Sequence, residues 1–76
     1  MIEVRLFADL PGHSRSGRRS LDVAWRPGLT VGSILEEEGI EPARVRIILV
    51  NGIHADLEAG IQDGDRVGLF PPVGGG

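Results

Sequence analysis

No cysteine occurs in this 76-residue chain. That absence excludes disulfide staples, thiolate zinc sites and cysteine nucleophiles together. Lysine is missing as well: the eight basic residues are all arginine, at positions 5, 15, 18, 19, 26, 44, 46 and 66. The chain therefore offers no lysine amine for a Schiff base, a phosphate-binding loop or an isopeptide acceptor. No apolar run approaches the ~18 residues that a membrane span needs. The Met-Ile-Glu start has none of the charged and apolar regions of a signal peptide, so a cytoplasmic protein with no membrane partner is expected. A net charge of -3 argues against nucleic acid as a partner, because binding to phosphates wants a basic surplus.

What remains is a small globular composition, 41% hydrophobic and 25% charged, in a chain too short for two cores. The first segment alternates. Ile2, Val4 and Leu6 point one way, and Glu3, Arg5 and Phe7 the other, which predicts a half-buried strand running to about Ala8. Residues 11–17, Pro-Gly-His-Ser-Arg-Ser-Gly, read as a surface loop, and Leu21 and Val23 resume the alternation as far as Trp25. Together these make a hairpin with a long, basic connection. Pro27-Gly28 turns the chain, and Thr30 is placed to cap a helix whose Val31, Ile34, Leu35 and Glu38 have helical spacing. Leu29 and Ile34 are spaced for a hydrophobic staple, and Gly39 before Ile40 and Pro42 is a stop signal.

Arg44 to Val50 is rich in β-branched residues on both faces and reads as a strand covered more fully than the first. Asn51-Gly52 predicts a type I′ turn into a brief strand at residues 53–55. Leu57 and Ile61 read as core pins, Asp63-Gly64-Asp65 as a turn, and Val67 and Leu69 as part of a last strand. The order β-β-α-β-β-β is an α+β plan in which one helix covers one face of a mixed sheet. Residues 1–70 are expected to form the domain and residues 71–76 a flexible tail.

The sequence contains no spaced Ser-His-Asp set, no Gly-Lys-Ser/Thr phosphate loop and no histidine pair on a helix. His13 and His54 read as solvated loop residues, and no metal or bound cofactor is expected. Glu36-Glu37-Glu38 lie at the end of the helix that its dipole disfavours for acids; they are either a solvated face or a docking patch for a basic partner. Arg15, Arg18 and Arg19 read as a solvated loop.

The two phenylalanines say more. Phe7 is out of phase with Ile2, Val4 and Leu6, and Phe70 with Val67 and Leu69. If the first and last strands are parallel neighbours, both rings fall on one outer face. There they either form an apolar contact patch or lie under a loop. Pro71-Pro72-Val73-Gly74-Gly75-Gly76 follows Phe70 directly. The prolines favour an extended departure, and the glycines can enter a channel too narrow for any other residue. Six extended residues reach roughly 20 Å, enough to deliver a carboxylate into another protein's active site.

These features resemble a known family. The strand Ile2 to Phe7, Val50-Asn51-Gly52, Asp63-Gly64-Asp65-Arg66-Val67 and the ending Phe70-Pro71-Pro72-Val73-Gly74-Gly75-Gly76 look like the small subunit of molybdopterin synthase. That subunit is one of the ubiquitin-like β-grasp sulfur carriers, a group that also includes the thiamine-pathway carrier. The resemblance is densest in the last fourteen residues, and Pro-Pro-Val favours the molybdopterin type. It implies an α+β β-grasp fold and a protein that is a carrier, without an active site of its own. A partner activating enzyme would use ATP to adenylate the Gly76 carboxylate, and a sulfur donor such as a desulfurase or rhodanese-type protein would convert it to a thiocarboxylate. Gly75 and Gly76 would be the reactive end. Phe7, Phe70, Pro71, Pro72, Val73 and Gly74 would contact partners, the large synthase subunit above all. The third glycine, Gly74, departs mildly from the family pattern. The alternatives are a carrier for thiamine, tungsten-cofactor, cysteine or transfer-RNA thiolation, or a ubiquitin-like modifier attached to target lysines.

Overall fold

In a computed structural model of the chain, residues 1–72 are described. Readings that concern Val73, Gly74, Gly75 and Gly76 lie outside them. Five strands form one mixed sheet: β1 (Ile2–Leu6), β2 (Ser20–Val23), β3 (Ile47–Val50), β4 (Ile53–His54) and β5 (Arg66–Phe70). Their order across the sheet is β2-β1-β5-β3-β4. β1 pairs antiparallel with β2 and parallel with β5, and β3 is antiparallel to both β5 and β4. The first and last strands are thus neighbours at the sheet's centre. A single helix, α1 (Val31–Glu38), covers one face.

The core follows from alternation. Ile2, Val4 and Leu6 of β1, Val67 and Leu69 of β5, Leu21 of β2 and Ile48 of β3 point inward, where Val31, Ile34 and Leu35 of the helix close over them. Each fully buried aliphatic side chain contributes about 1.5–3 kcal/mol relative to exposure. Leu29, Ile40 and Ile61, from the connections, complete the cluster.

The helix starts and stops where its sequence says. Thr30 accepts a hydrogen bond from the Ser33 backbone N–H at 3.1 Å, and Ser33 Oγ reaches back to the Thr30 N–H, forming a reciprocal box. Leu29 and Ile34, the staple pair, are both buried. At the other end Gly39 adopts φ 70°, and the Ile40 N–H bonds back to the Leu35 carbonyl at 2.9 Å. Asn51 and Gly52 have φ of 54° and 80°, the left-handed pair of a type I′ turn.

Four expectations need correction. β1 ends at Leu6 rather than Ala8, because Ala8 turns to φ 55° and leaves the ladder. The 11–17 connection lies at the surface but is not wholly irregular: its first three residues complete a 3-10 turn over Leu10–His13, and Leu10, just ahead of it, is buried in the core. Residues 44–46 are not strand, since Pro42 starts a 3-10 turn over Pro42–Arg44 and β3 begins only at Ile47. β3 is also less covered than β1, with Ile48 its one buried residue against three in β1, because the helix seals one face only. In addition β2 stops at Val23 and β4 at His54.

Thr30→Ala should lower stability by about 1 kcal/mol through loss of the cap. Gly39→Ala should lower it by about 1–2 kcal/mol, because a Cβ is disfavoured at left-handed φ. Urea unfolding midpoints of the two variants, with an unchanged slope, would check both.

Candidate functional site

The site is the sheet face that the helix does not cover. β1 presents Glu3 and Arg5 there, with Phe7 one residue beyond its end, and β5 presents Arg66, Gly68 and Phe70. The parallel register sets Glu3 beside Arg66 and Arg5 beside Gly68, and the Phe7 N–H continues the ladder to the Leu69 carbonyl at 3.0 Å. This brings the two rings together. Their centroids are 4.2 Å apart and their planes 7° from parallel. No loop buries them: Phe7 is 38% exposed and Phe70 half-buried. Stacked pairs of this kind contribute about 0.5–1.5 kcal/mol beyond area burial.

Strand β3 extends the patch. Ile47 lies opposite Phe70, and Leu49 lies opposite both Gly68 and His54, so a shallow apolar hollow of about 250 Å³ forms between Ile47, Leu49, His54 and Phe70. Ile47, Leu49 and Phe70 are half-buried there, which makes this face the candidate for contact with another protein. Alternation in the sequence puts Ile47 and Leu49 on one face, but nothing in it marks them, or Gly68, as part of a site. Gly68 is in phase with Phe70 along β5, but its neighbours across the sheet are set by the pairing and not by that spacing.

The exit of the chain lies at the rim of this patch. The Phe70 carbonyl accepts the Arg46 N–H at 2.8 Å, after which Pro71, half-buried, and Pro72, exposed, follow without strand geometry. His13 Nε2 is 3.5 Å from Arg44 and 3.6 Å from Asp9, whereas His54 lies on β4. Among the described residues no group of three His, Asp or Glu side chains is placed to hold a metal. Two of the acids in the last turn of the helix find partners within the chain: Glu37 pairs with Arg26, and Glu38 accepts Ser16 Oγ at 2.9 Å. No helix among the described residues is long and apolar enough to cross a membrane.

A five-stranded mixed sheet holding its first and last strands parallel at the centre and grasping one helix defines the ubiquitin-like β-grasp class. The chain belongs to the ThiS family, whose sequence model matches residues 5–76. Among solved structures it is similar to SAMP1 from Haloferax volcanii, with 31% identity, TM-score 0.74 and coverage of 99% of this chain and 98% of that one. A structure of H. volcanii small archaeal modifier protein 1 gives 30% identity, TM-score 0.72 and coverage of 95% and 97%. A Pyrococcus furiosus chain assigned as molybdopterin converting factor subunit 1 gives 26% identity, TM-score 0.69 and coverage of 95% and 97%. No curated protein matches the sequence. The protein is accordingly a small carrier of the sulfur-carrier or ubiquitin-like modifier type, a type whose members are not themselves enzymes.

Combining Phe7→Ala and Phe70→Ala in a double-mutant cycle should reveal a coupling of about 0.5–1.5 kcal/mol in urea unfolding. Additive losses would mean that the rings do not support one another.

Proposed function

We propose that this chain is a sulfur carrier whose Gly76 carboxylate is activated and converted to a thiocarboxylate, and that it serves as the small, sulfur-donating subunit of a molybdopterin synthase. The observation that carries the reading is the exposed, stacked Phe7–Phe70 pair standing immediately before Pro71-Pro72. A docking surface at that point would hold residues 71–76 against a partner's active site. Support also comes from the family match, which extends through Gly76, and from the likeness to molybdopterin converting factor subunit 1.

The chemistry needs little from the carrier itself. A carboxylate is a poor electrophile; adenylation by a partner enzyme with ATP releases pyrophosphate and supplies a leaving group, the donor's persulfide displaces AMP, and a second thiol then cleaves the resulting acyl disulfide, forming a disulfide with the donor as the thiocarboxylate is released. Sulfur then stands where one carboxylate oxygen stood. With no cysteine in the chain, no side-chain thiol competes for it. Gly75 and Gly76 are the reactive end, and Val73 and Gly74 carry it. Phe7, Phe70, Pro71 and Pro72 contact the large subunit.

A second reading is favoured by the likeness to small archaeal modifier protein 1: attachment of Gly76 to lysines of other proteins. One experiment separates the two. Incubation with the cognate activating enzyme, ATP and a sulfur donor should change the intact mass by one oxygen-to-sulfur exchange at Gly76, and an unchanged mass would sink the carrier reading. Removing Gly75 and Gly76 should abolish the product and leave the far-ultraviolet circular dichroism unaltered. Phe7→Arg or Phe70→Arg should weaken binding to the large synthase subunit at least tenfold, the cost of placing an unpaired charge in an apolar contact. Recovery of the chain joined through Gly76 to a target lysine would establish the modifier role instead.

A further inference from the structure

Gly68 leaves a gap in the exposed sheet face. In register it lies between Arg5 of β1 and Leu49 of β3, and it has no side chain to place between theirs. A Cβ built there would come within 3.3 Å of Phe70 Cε1 and 3.5 Å of Phe7 Cε2, so the aromatic pair leans over the gap. The result is an open notch of about 220 Å³. Phe7, Phe70 and Leu49 supply its apolar wall, and Arg5 and Arg66 stand on its charged rim.

The charges at the rim do not cancel. Arg5 Nε donates to Glu3 Oε2 at 2.8 Å, and Arg66 Nε lies 3.8 Å from Glu3 Oε1. Two guanidiniums therefore share one carboxylate. The terminal nitrogens of both arginines make no hydrogen bond among the described residues, and both side chains are largely exposed. Asp65, next to Arg66 in sequence, is committed elsewhere: its carboxylate accepts Asn51 Nδ2 at 2.9 Å and the Gln62 N–H at 2.8 Å. Asn51 also holds the backbone of Arg66, accepting its N–H at 3.0 Å and donating its own N–H to its carbonyl at 2.8 Å. The strand end that carries the arginine is thus fixed. The notch keeps a positive surplus on a chain whose net charge is -3.

We propose that this notch receives an acidic side chain, a glutamate, from the protein that docks on this face. Its methylene stem lies on the phenylalanine rings above Gly68, and its carboxylate enters the forks of Arg5 and Arg66, the bidentate geometry at which arginine excels. The apolar wall lowers the local dielectric and strengthens the pair relative to open solvent. The inference rests on the reading of this face as a docking surface and adds the chemistry that the partner must present there.

The test uses N-acetylglutamate N-methylamide as the probe, titrated against the isotopically labelled chain while backbone amide resonances are followed. Saturable shifts centred on Arg5, Leu49, Arg66 and Gly68 are expected, with binding about tenfold weaker for the glutamine analogue, as befits loss of a charged hydrogen bond. The exposed double variant Arg5→Gln/Arg66→Gln should remove the preference for glutamate, and Gly68→Val, which fills the notch, should remove saturation with both arginines intact. Equal affinity for the two analogues, or shifts spread over Arg15, Arg18 and Arg19, would overturn the proposal. The probe requires no activating enzyme or synthase subunit. Failure here leaves the mass test of thiocarboxylate formation to stand or fall independently.

Discussion

Pairing of the two ends of the chain, β1 against β5 in parallel at the centre of the sheet, is the constraint on which both sides of the molecule depend. Closing a loop of nearly the whole chain costs entropy, offset only when both strands bury their inner faces. They do: Ile2, Val4, Leu6, Val67 and Leu69 are all shut away from solvent. Because side chains alternate with a period of two, the same register that buries these five aliphatics sends Phe7, Gly68 and Phe70 to the opposite face. A slip of one residue would exchange the two sets, exposing the core and burying Arg5 and Arg66. The outer face that carries the phenylalanines is therefore held in register by the core beneath it.

The helix contributes by leaving that face alone. One apolar stripe on α1 closes one side of the sheet, and the irregular segment after β4 pins the helix from its far side. The Gly32 N–H donates to the Leu57 carbonyl at 2.8 Å, and a Cβ at Gly32 would stand 3.2 Å from that oxygen, which accounts for a weak helix former in the first turn. Trp25 ties the end of β2 to the same segment, its indole N–H meeting the Ile61 carbonyl at 2.6 Å. Glu37 and Glu38, unfavourable at a helix C-terminus, are engaged by Arg26 and Ser16. The helix side is thus largely occupied with its own bonds, while among the described residues no element covers the apolar and cationic groups of the sheet side.

Local chemistry made most of the architecture legible. Alternation located the strands, Thr30 and Gly39 bracketed the helix, and Asn51-Gly52 specified the hairpin turn, because each signal is complete within a few residues. The opposed phase of Phe7 and Phe70 was local too, and only their adjacency required the parallel pairing. Errors fell where neighbours outvoted propensity. Residues 44–46 look like strand, but the 3-10 turn that Pro42 begins takes in Arg44 with Val45 as its cap, so the strand starts only at Ile47. Leu10 sits in a stretch of turn formers and gave no periodic sign of being core. Gly68 was illegible for a deeper reason. Its meaning depends on what stands beside it on two other strands, Arg5 and Leu49, and no spacing along one strand encodes that.

Placement of the patch at the end of β5 bears on how a carrier of this size could work. Phe70 is both the last residue of the sheet and half of the stacked pair, so a partner that grips the ring holds the chain one residue before Pro71. Residues 71–76 span roughly 20 Å when extended, and the conformational freedom to be lost on threading is already cut by two prolines at the fixed end. Had the patch lain on the helix side, the partner would have had to span the thickness of the domain, and the same six residues would fall short by about a sheet-to-helix layer of ~10 Å. On the proposed reading, recognition and delivery are therefore coupled through one covalent bond, Phe70 to Pro71. The charged notch refines this coupling. Apolar contact with the rings fixes position but discriminates weakly between apolar partners, whereas an arginine fork that demands a carboxylate at one side of the pair also fixes rotation about it. Position and rotation together determine the direction in which Pro71-Pro72 points.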